Sequence, residues 1–186
     1  MDASVIASMA KWPNVPDCYG WLHLDAQGRW RLGEHINGQA PNRVEHDGLK
    51  QFINRNYGAT DNGGWALQNG PQRVWVQLAL APLIVSLHAG VVTAHTGQVV
   101  QLQRGWLADD GVVYFATSAG PAALASASME AFSADVQHNA QGCLAWQASD
   151  LVRPLDLNPC SAHEIAGLLG FTKCPQWQKT AGEIAA

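Results

Sequence analysis

Residues 65–117 read WALQNGPQRVWVQLALAPLIVSLHAGVVTAHTGQVVQLQRGWLADDGVVYFAT. Short apolar runs in this stretch are separated by groups that favour turns, and no run is long enough for a helix of three turns. The turn groups are Asn69-Gly70-Pro71, Pro82, Ala89-Gly90, Thr96-Gly97 and Asp109-Asp110-Gly111. The pattern predicts an antiparallel sheet with one buried face. Its six strands are expected over residues 65–68, 73–80, 83–88, 91–95, 99–107 and 112–117.

Hairpin motifs recur outside and inside this stretch. Residues 20–32 read GWLHLDAQGRWRL, in which Asp25 and Gly28 bound a turn between alternating apolar positions. Residues 105–115 repeat the motif with a shorter turn, and residues 61–67 carry a third acidic turn that runs into Trp65. An internal duplication and independent use of the same turn chemistry both explain the likeness, and both stay open.

Helical signals lie on either side of the sheet-forming stretch. Residues 47–58 predict a short amphipathic helix, because Asp47 suits the N-terminus, Gly58 suits the C-terminus and the residues between them follow helical spacing. The expected inward positions are Leu49, Phe52, Ile53 and Asn56, and the expected outward ones are Lys50, Asn54 and Arg55. Residues 121–138 favour a helix, and residues 142–147 favour a strand after it.

The C-terminal region contains a capping box, Ser161-Ala162-His163-Glu164, followed by an apolar stripe and Gly170. It predicts a helix that Ser161 caps and that runs to about Leu169.

The fold class is therefore α+β, with antiparallel hairpins and short helices packed on the sheet. One domain over residues 1–186 is expected, and division into similar subdomains stays open: a hairpin and helix over 1–60, a meander over 61–150, a helical segment over 151–175 and a weakly ordered tail over 176–186.

Composition and charge exclude several partners. The chain has 186 residues, a net charge of −4 and a pI near 5.9. No cluster of Lys and Arg is available for a phosphate backbone or an anionic lipid surface, so we expect neither nucleic-acid nor membrane binding. The longest apolar run, residues 78–87, contains Pro82 and is too short to span a bilayer. No signal peptide is evident at the N-terminus, so a cytoplasmic location is expected.

The cysteines and histidines suggest no cofactor. Four scattered cysteines without a C-x-x-C pair predict free thiols in a reducing compartment. A zinc site formed by Cys143, Cys160, His163 and Cys174 is the alternative, although this spacing matches no standard zinc finger. His88 and His95, at the ends of two predicted strands, form a second metal candidate. Polar strand ends are ordinary, so no metal is expected there.

Two segments carry a resemblance to a known family. Residues 52–57, FINRNY, and residues 64–76, GWALQNGPQRVWV, resemble an uncharacterised proteobacterial family of about this length, known only as a domain of unknown function. The order of hairpin, short helix and meander is also similar to that of a second proteobacterial family of unknown function, for which a signalling role has been suggested from its fold. Neither resemblance implies an activity or catalytic residues.

No common catalytic motif is present, including the nucleophile elbow, the phosphate-binding loop and the H-E-x-x-H zinc motif. The helix and the hairpin around Asn69-Gly70 should instead lie side by side, because only a short turn connects them. This arrangement would form a surface of amides and arginines suited to a small anionic ligand or a protein partner. The candidate residues are Asn54, Arg55, Asn56, Gln68, Asn69 and Arg73.

Two alternatives to this surface remain. In the first, the asparagines and glycines only build turns, while Arg55 and Arg73 form local salt bridges with Asp47 or Asp61. A hydrolase or isomerase would instead use a histidine and a carboxylate; its candidates are His35 and His46 with Glu34, Glu45 or Asp47. A non-enzymatic binding or regulatory module is the favoured reading. The oligomeric state is open, with a homodimer among the possibilities.

Overall fold

The computed structural model describes residues 1–34, 40–147 and 154–176, and within them the chain forms an α+β fold, as predicted. The helices are α1 (Ala3–Lys11), α2 (Asp47–Asn56), α3 (Met129–Ala134) and α4 (Ile165–Leu169). The strands are β1 (Cys18–Leu24), β2 (Trp30–Leu32), β3 (Asn42–Arg43), β4 (Tyr57–Ala59), β5 (Trp65–Asn69), β6 (Gln72–Leu78), β7 (Leu83–His88), β8 (Val91–Ala94), β9 (Leu102–Ala108), β10 (Val113–Thr117), β11 (Gly120–Leu124), β12 (Val136–His138), β13 (Leu144–Trp146) and β14 (Leu155–Cys160).

These strands form two mixed sheets. The first has six strands in the order β3-β2-β1-β6-β5-β4, and the second has eight in the order β12-β13-β14-β9-β10-β11-β7-β8. Most neighbours are antiparallel, but β1 pairs with β6, β7 with β11 and β9 with β14 in parallel. Residue periodicity does not reveal such pairs, because their strands are joined by long connections that pass through other elements.

All six strands predicted between residues 65 and 117 are present, but they do not form one sheet. β5 and β6 belong to the first sheet, whereas β7 to β10 belong to the second. The change occurs at Ala81 and Pro82, both of which are buried. Proline has no N–H with which to continue a ladder, so Pro82 suits the break between β6 and β7.

The predicted hairpin over residues 20–32 is confirmed by β1 and β2, with Leu22 opposite Leu32 and Leu24 opposite Trp30. Its turn is held by Asp25, whose Oδ1 accepts hydrogen bonds from the backbone N–H groups of Gln27 and Arg29. The hairpin over residues 105–115 is confirmed by β9 and β10. In both hairpins an acidic residue and a glycine provide the chain reversal that the alternating apolar residues require.

Helix α2 confirms the predicted helix, although its N-cap is His46 rather than Asp47 and it ends at Asn56. Gly58 does not take the expected left-handed position at the C-terminus; the chain becomes extended at Tyr57, and Gly58 lies in β4. The His46 Nδ1 atom accepts a hydrogen bond from the Leu49 N–H at 3.2 Å. Ile53 and Asn56 are buried, whereas Leu49 is 36% exposed. The N-terminal helix α1 has no counterpart among the predicted elements. It buries only Val5, so its apolar pattern is too weak to stand out in the sequence.

The two remaining helix predictions need correction. Residues 121–138 are not one helix, because β11 occupies the first part, a 3₁₀ turn at Ser126–Ser128 follows, and α3 and β12 form the rest. The sequence stretch has small residues that a buried strand accommodates equally well. The predicted strand near residue 145 is present as β13.

Helix α4 is shorter than the capping box predicts. Ser161 stands at the start of a turn that leads into it, and its Oγ accepts a hydrogen bond from the His163 N–H at 3.3 Å. The Ala162 N–H instead donates to Asp109 from the β9–β10 turn at 2.9 Å. A distant carboxylate thus supplies part of the expected cap. Gly170 ends the helix in the left-handed conformation, as predicted.

The hydrophobic core contains side chains from both sheets and from helices α2, α3 and α4. An aromatic cluster bridges the two sheets: the Trp30 ring packs edge-on against Tyr57 at 4.9 Å and against His95 at 5.2 Å. The Tyr57 hydroxyl donates a hydrogen bond to the Pro82 carbonyl at 2.9 Å. None of the helices in the described ranges is long and apolar enough to cross a membrane.

Candidate functional site

Helix α2 contacts strand β5, and four of the six predicted site residues line one cavity beside this contact. They are Arg55, Asn56, Gln68 and Arg73. The cavity has a volume of about 460 Å³, and its wall includes Met9 of helix α1 and Met1, which precedes that helix. The tertiary structure therefore brings together polar residues from α2, β5 and β6 and adds a helix that the sequence did not indicate.

The other two predicted site residues are placed differently. Asn54 was expected to face outward, but its side chain is half-buried and its Oδ1 accepts a hydrogen bond from the Trp30 indole N–H at 2.7 Å. This contact ties α2 to β2 and gives Asn54 a structural role. Asn69 is exposed at the β5–β6 turn and does not line the cavity.

Arg55 and Asn56 contact the N-terminal segment. The Arg55 Nε donates to Asp2 Oδ1 at 3.0 Å, and its second guanidinium nitrogen, Nη2, donates to Oδ2 at 3.3 Å. Asn56 Nδ2 donates to the same Oδ2 at 3.1 Å, while Asn56 Oδ1 accepts from the Asp2 backbone N–H at 2.7 Å. The hydrogen bonds from Arg55 and then Asn56 lower the pKa of the Asp2 carboxyl. Arg55 is thus paired, although neither with Asp47 nor with Asp61.

Arg73 lies on an aromatic surface. Its guanidinium lies over the Trp75 ring, 5.5 Å from the centroid, which follows from the i, i+2 spacing of the two residues on β6. Tyr19 from β1 stacks on Trp75 with ring centroids 5.8 Å apart. The Trp75 indole N–H donates to Asp17 at 2.8 Å. Burial, followed by the nearby Asp17 charge, raises the pKa of Tyr19.

Arg73 also borders three adjoining concavities. One is the 460 Å³ cavity described above. A second, of about 620 Å³, lies between this aromatic surface and the C-terminal segment and is lined also by Asn62, Thr172 and Gln176. A third, of about 350 Å³, lies next to Trp12 and Pro71. The Arg73 guanidinium therefore faces space on several sides.

Gln68 has a structural contact as well as a place in the cavity wall. It is buried, and its Nε2 donates to the Gly70 carbonyl at 3.0 Å, which supports the turn between β5 and β6. Gln68 and Arg73 are directly opposite each other in the register of β5 and β6.

Four residues of this region were missed in the sequence: Asp2, Asp17, Tyr19 and Trp75. Trp75 could have been recognised from the sequence. It follows Arg73 by two residues in a predicted strand, so the two side chains lie on the same face of that strand. The other three had none, since they reach the site through contacts that span more than 50 residues.

The histidine–carboxylate alternative finds little support in the described residues. His35 lies outside them. His46 uses Nδ1 to cap α2, Asp47 pairs with Lys50 at 2.6 Å, and Glu45 pairs with Arg43 at 3.3 Å. These three side chains are exposed and have local partners, and the fourth described candidate, Glu34, is exposed and lines a separate cavity with Trp21 and Pro41.

One cavity, of about 370 Å³, is lined by both His23 and Asp25. The His23 Nε2 lies 2.9 Å from the Gly33 carbonyl. Burial opposes ionisation of Asp25, but hydrogen bonds from Arg29 and Arg31 outweigh it and lower the pKa of its carboxyl. A carboxylate held by two arginines is a poor proton acceptor. Asp25 is therefore suited to holding the hairpin rather than to general base catalysis with His23.

The metal candidates are not assembled in the part of the chain that the structure describes. Within it, no group of three His, Cys, Asp or Glu side chains is close enough to hold a metal ion. Cys18, Cys143, Cys160 and Cys174 are free thiols. His88 is exposed at the end of β7, whereas the ring of His95 is turned into the aromatic cluster.

Comparison with solved structures gives a likeness of fold. A DUF1285 family protein from Silicibacter pomeroyi DSS-3 aligns with a TM-score of 0.54 and 13% identity, over 82% of this chain and 86% of its own. A second, from Shewanella baltica OS155, has 20% identity and a TM-score of 0.44, over 62% of this chain and 91% of its own. No curated protein matches this chain.

A family model described as "Protein of unknown function (DUF2946)" matches residues 1–176. The match includes α1, the site region and α4, and so spans nearly the whole chain. The resemblance to an uncharacterised family is thereby supported at the level of the family. The chain belongs to this family of unknown function.

Proposed function

We propose that the protein is a non-enzymatic binding module that recognises an anionic group, on a small ligand or on a protein partner, at the surface around Arg73. One observation carries the proposal: Arg73 lies over Trp75, borders three concavities and has no carboxylate within salt-bridge distance among the described residues. Four of the six arginines in the described ranges do have such a partner.

The chemistry of this surface suits an anion. A guanidinium that stacks on an indole is held in a defined plane and keeps its N–H groups available for a carboxylate or a phosphate. The adjoining concavities supply further polar groups, including Asn62 and Gln68. The proposal includes a regulatory role, in line with the similar layout of a family for which a signalling role has been suggested. It also includes a cytoplasmic location, in which free thiols stay reduced.

Arg104 offers a matched control. Its guanidinium also lies 5.5 Å from a tryptophan ring, that of Trp106, and it has no ion pair in the described ranges. It belongs to β9 in the second sheet and therefore lies outside the proposed surface.

The proposal is tested by titrating the full chain with inorganic phosphate, citrate and a hexaglutamate peptide while the melting temperature is followed. At least one of the three should raise the melting temperature of the wild type and of Arg104→Ala, but not that of Arg73→Ala. Calorimetry should give the same order of affinities. A response that is equal in both variants, or no response to any of the three probes, would contradict the proposal.

A further inference from the structure

The contact between Asp2 and helix α2 has the geometry of a binding site for a peptide aspartate. Arg55 donates to both carboxylate oxygens, and Asn56 donates to one of them and accepts from the backbone N–H of the same residue. Asn56 is 3% exposed. A buried polar side chain therefore recognises two features of one residue at once, its charge and its peptide N–H.

The orientation of the Asn56 amide is determined by the protein itself. Its Nδ2 also donates to the Phe52 carbonyl at 3.0 Å. Reversing the amide would place Oδ1 against that carbonyl, and two acceptors would then face each other. Oδ1 is thus directed toward the position of the Asp2 N–H.

This orientation makes the site selective. Sulfate and simple carboxylates bring no donor, so they would leave the buried Oδ1 atom without a partner or bring a second acceptor close to it. An aspartate within a peptide brings a donor and a carboxylate together. The preferred ligand is therefore an aspartyl residue whose own N–H is free, as at the N-cap of a helix.

The residue that occupies the site belongs to a lightly held element. Asp2 is the N-cap of α1, yet its side chain makes no capping bond to its own helix and is directed to Arg55 and Asn56 instead. Val5 is the buried residue of α1, while Ile6 is 55% exposed. The same helix forms part of the wall of the 460 Å³ cavity through Met9.

We infer that Arg55 and Asn56 form a receptor for an aspartate at the N-cap of a partner helix, and that Asp2 occupies this receptor until a partner displaces α1. The inference rests on the proposed function, because it names the class of partner as a protein segment with such an aspartate. Displacement of α1 would also uncover the cavity beside Arg73.

The test uses the full chain with Asp2→Ala, which vacates the receptor, and a labelled peptide with the sequence of residues 1–11. Binding is measured by fluorescence anisotropy at constant ionic strength. The peptide should bind the Asp2→Ala protein at least about tenfold more tightly than the wild type, because Asp2 no longer competes, and charged hydrogen bonds of this kind are worth about tenfold or more. Adding Arg55→Ala should remove the gain, whereas adding Lys50→Ala, a basic change elsewhere on α2, should not.

A change in the peptide keeps the test independent of protein folding. The same peptide carrying Asp2→Asn should bind at least about tenfold more weakly, since one neutral amide cannot replace the carboxylate. Inorganic sulfate, which has no donor, should not displace the original peptide. Equal binding of the two peptides, displacement by equimolar sulfate, or no gain in the Asp2→Ala protein would overturn the inference and leave the contact as an internal link.

The two proposals fail separately. If probe binding depends on Arg73 but the Asp2→Ala protein gains no affinity for the peptide, only the receptor is wrong. If the peptide behaves as expected while no probe depends on Arg73, the receptor stands and the anion-binding surface is wrong.

Discussion

Gly64 packs directly against the indole on which Arg73 lies. A Cβ atom at this position would be 2.3 Å from Cζ3 of Trp75 and 3.0 Å from Cε3. The ring would have to move, and with it the stacking on Tyr19. The absence of a side chain at residue 64 is therefore a requirement of the proposed binding surface.

Gly64→Ala should accordingly lower the free energy of unfolding by roughly 1–3 kcal/mol, the usual cost of overpacking a core site. Urea denaturation followed by tryptophan fluorescence would measure it. Gly58→Ala, in the adjacent strand β4, is the control, because a Cβ there has open space within 4 Å. Similar losses for both variants would show that the contact with Trp75 is not the cause.

His95 is a buried histidine whose ionisation is expected to affect stability. Burial lowers its pKa from the ordinary 6.5 to about 4. Its Nδ1 accepts a hydrogen bond from the Ile84 N–H at 3.2 Å, and its Nε2 is buried without a hydrogen-bond partner in the described part of the chain. A proton on Nδ1 would abolish the bond from Ile84, so the neutral ring is the form that the fold accommodates.

The unfolded state binds the His95 proton more tightly than the folded state does, so stability must fall as the pH decreases from about 6.5 toward 4. The loss between pH 7 and pH 5 should be about 2 kcal/mol from this residue. Urea denaturation at the two pH values measures it. In His95→Asn, which keeps an acceptor for Ile84 but does not titrate, the loss should shrink by that amount.

His88→Asn serves as the comparison, because it makes the same substitution at an exposed histidine, at the end of β7, that lies outside the aromatic cluster. The smaller loss should be specific to His95→Asn. An unaltered pH dependence in His95→Asn would show that another group is responsible.

At the scale of single elements, helix α4 has one glycine inside it and one at its C-cap, with opposite requirements. Gly170 has φ of +71°, in the left-handed region that favours glycine, whereas Gly167 lies inside the helix with open space around its Cβ position. Alanine is a better helix former than glycine by about 1 kcal/mol, but in the left-handed region it costs about 1–2 kcal/mol.

Gly167→Ala should therefore raise the free energy of unfolding by about 0.5–1 kcal/mol, and Gly170→Ala should lower it by about 1 kcal/mol. Chemical denaturation of the two variants beside the wild type provides the measurement. The opposite signs are the essential result. A loss in both would mean that α4 needs flexibility at Gly167 for a reason beyond helix propensity.

At the scale of the whole molecule, the question is whether the two sheets unfold together. They share one hydrophobic core, and the hydrogen bond from Tyr57 to Pro82 joins the first sheet to the connection that enters the second. Burial raises the pKa of Tyr57, so its hydroxyl stays protonated and able to donate. If the chain is one domain, damage at this point should reach both sheets.

Tyr57→Phe should lower the free energy of unfolding by about 1 kcal/mol, because the buried carbonyl loses its partner. Native-state hydrogen exchange should show the same decrease for the slowest amides of β6 and of β10. Tyr114→Phe is the control, since the buried Tyr114 hydroxyl has no hydrogen-bond partner in the described ranges and its removal should cost little. A decrease confined to β6 would instead indicate two separately unfolding units.

Local features of this fold could be predicted because their causes lie within a few residues. The β1–β2 hairpin follows from an acidic turn between alternating apolar residues, and α2 follows from its periodic apolar stripe. The strands between residues 65 and 117 are in place for the same reason. Helix α1 had no comparable signal, since it buries only Val5.

By itself, the sequence determined the α+β class, most strands, helix α2 and the stop of α4 at Gly170, because turn chemistry and side-chain periodicity act over short distances. Only the tertiary structure decided that the strands divide between two sheets at Pro82 and that three pairs run parallel. It alone brought Asp2 to Arg55, and Tyr19 to Trp75. Such contacts depend on which distant surfaces pack together, and no local pattern in the chain encodes that choice.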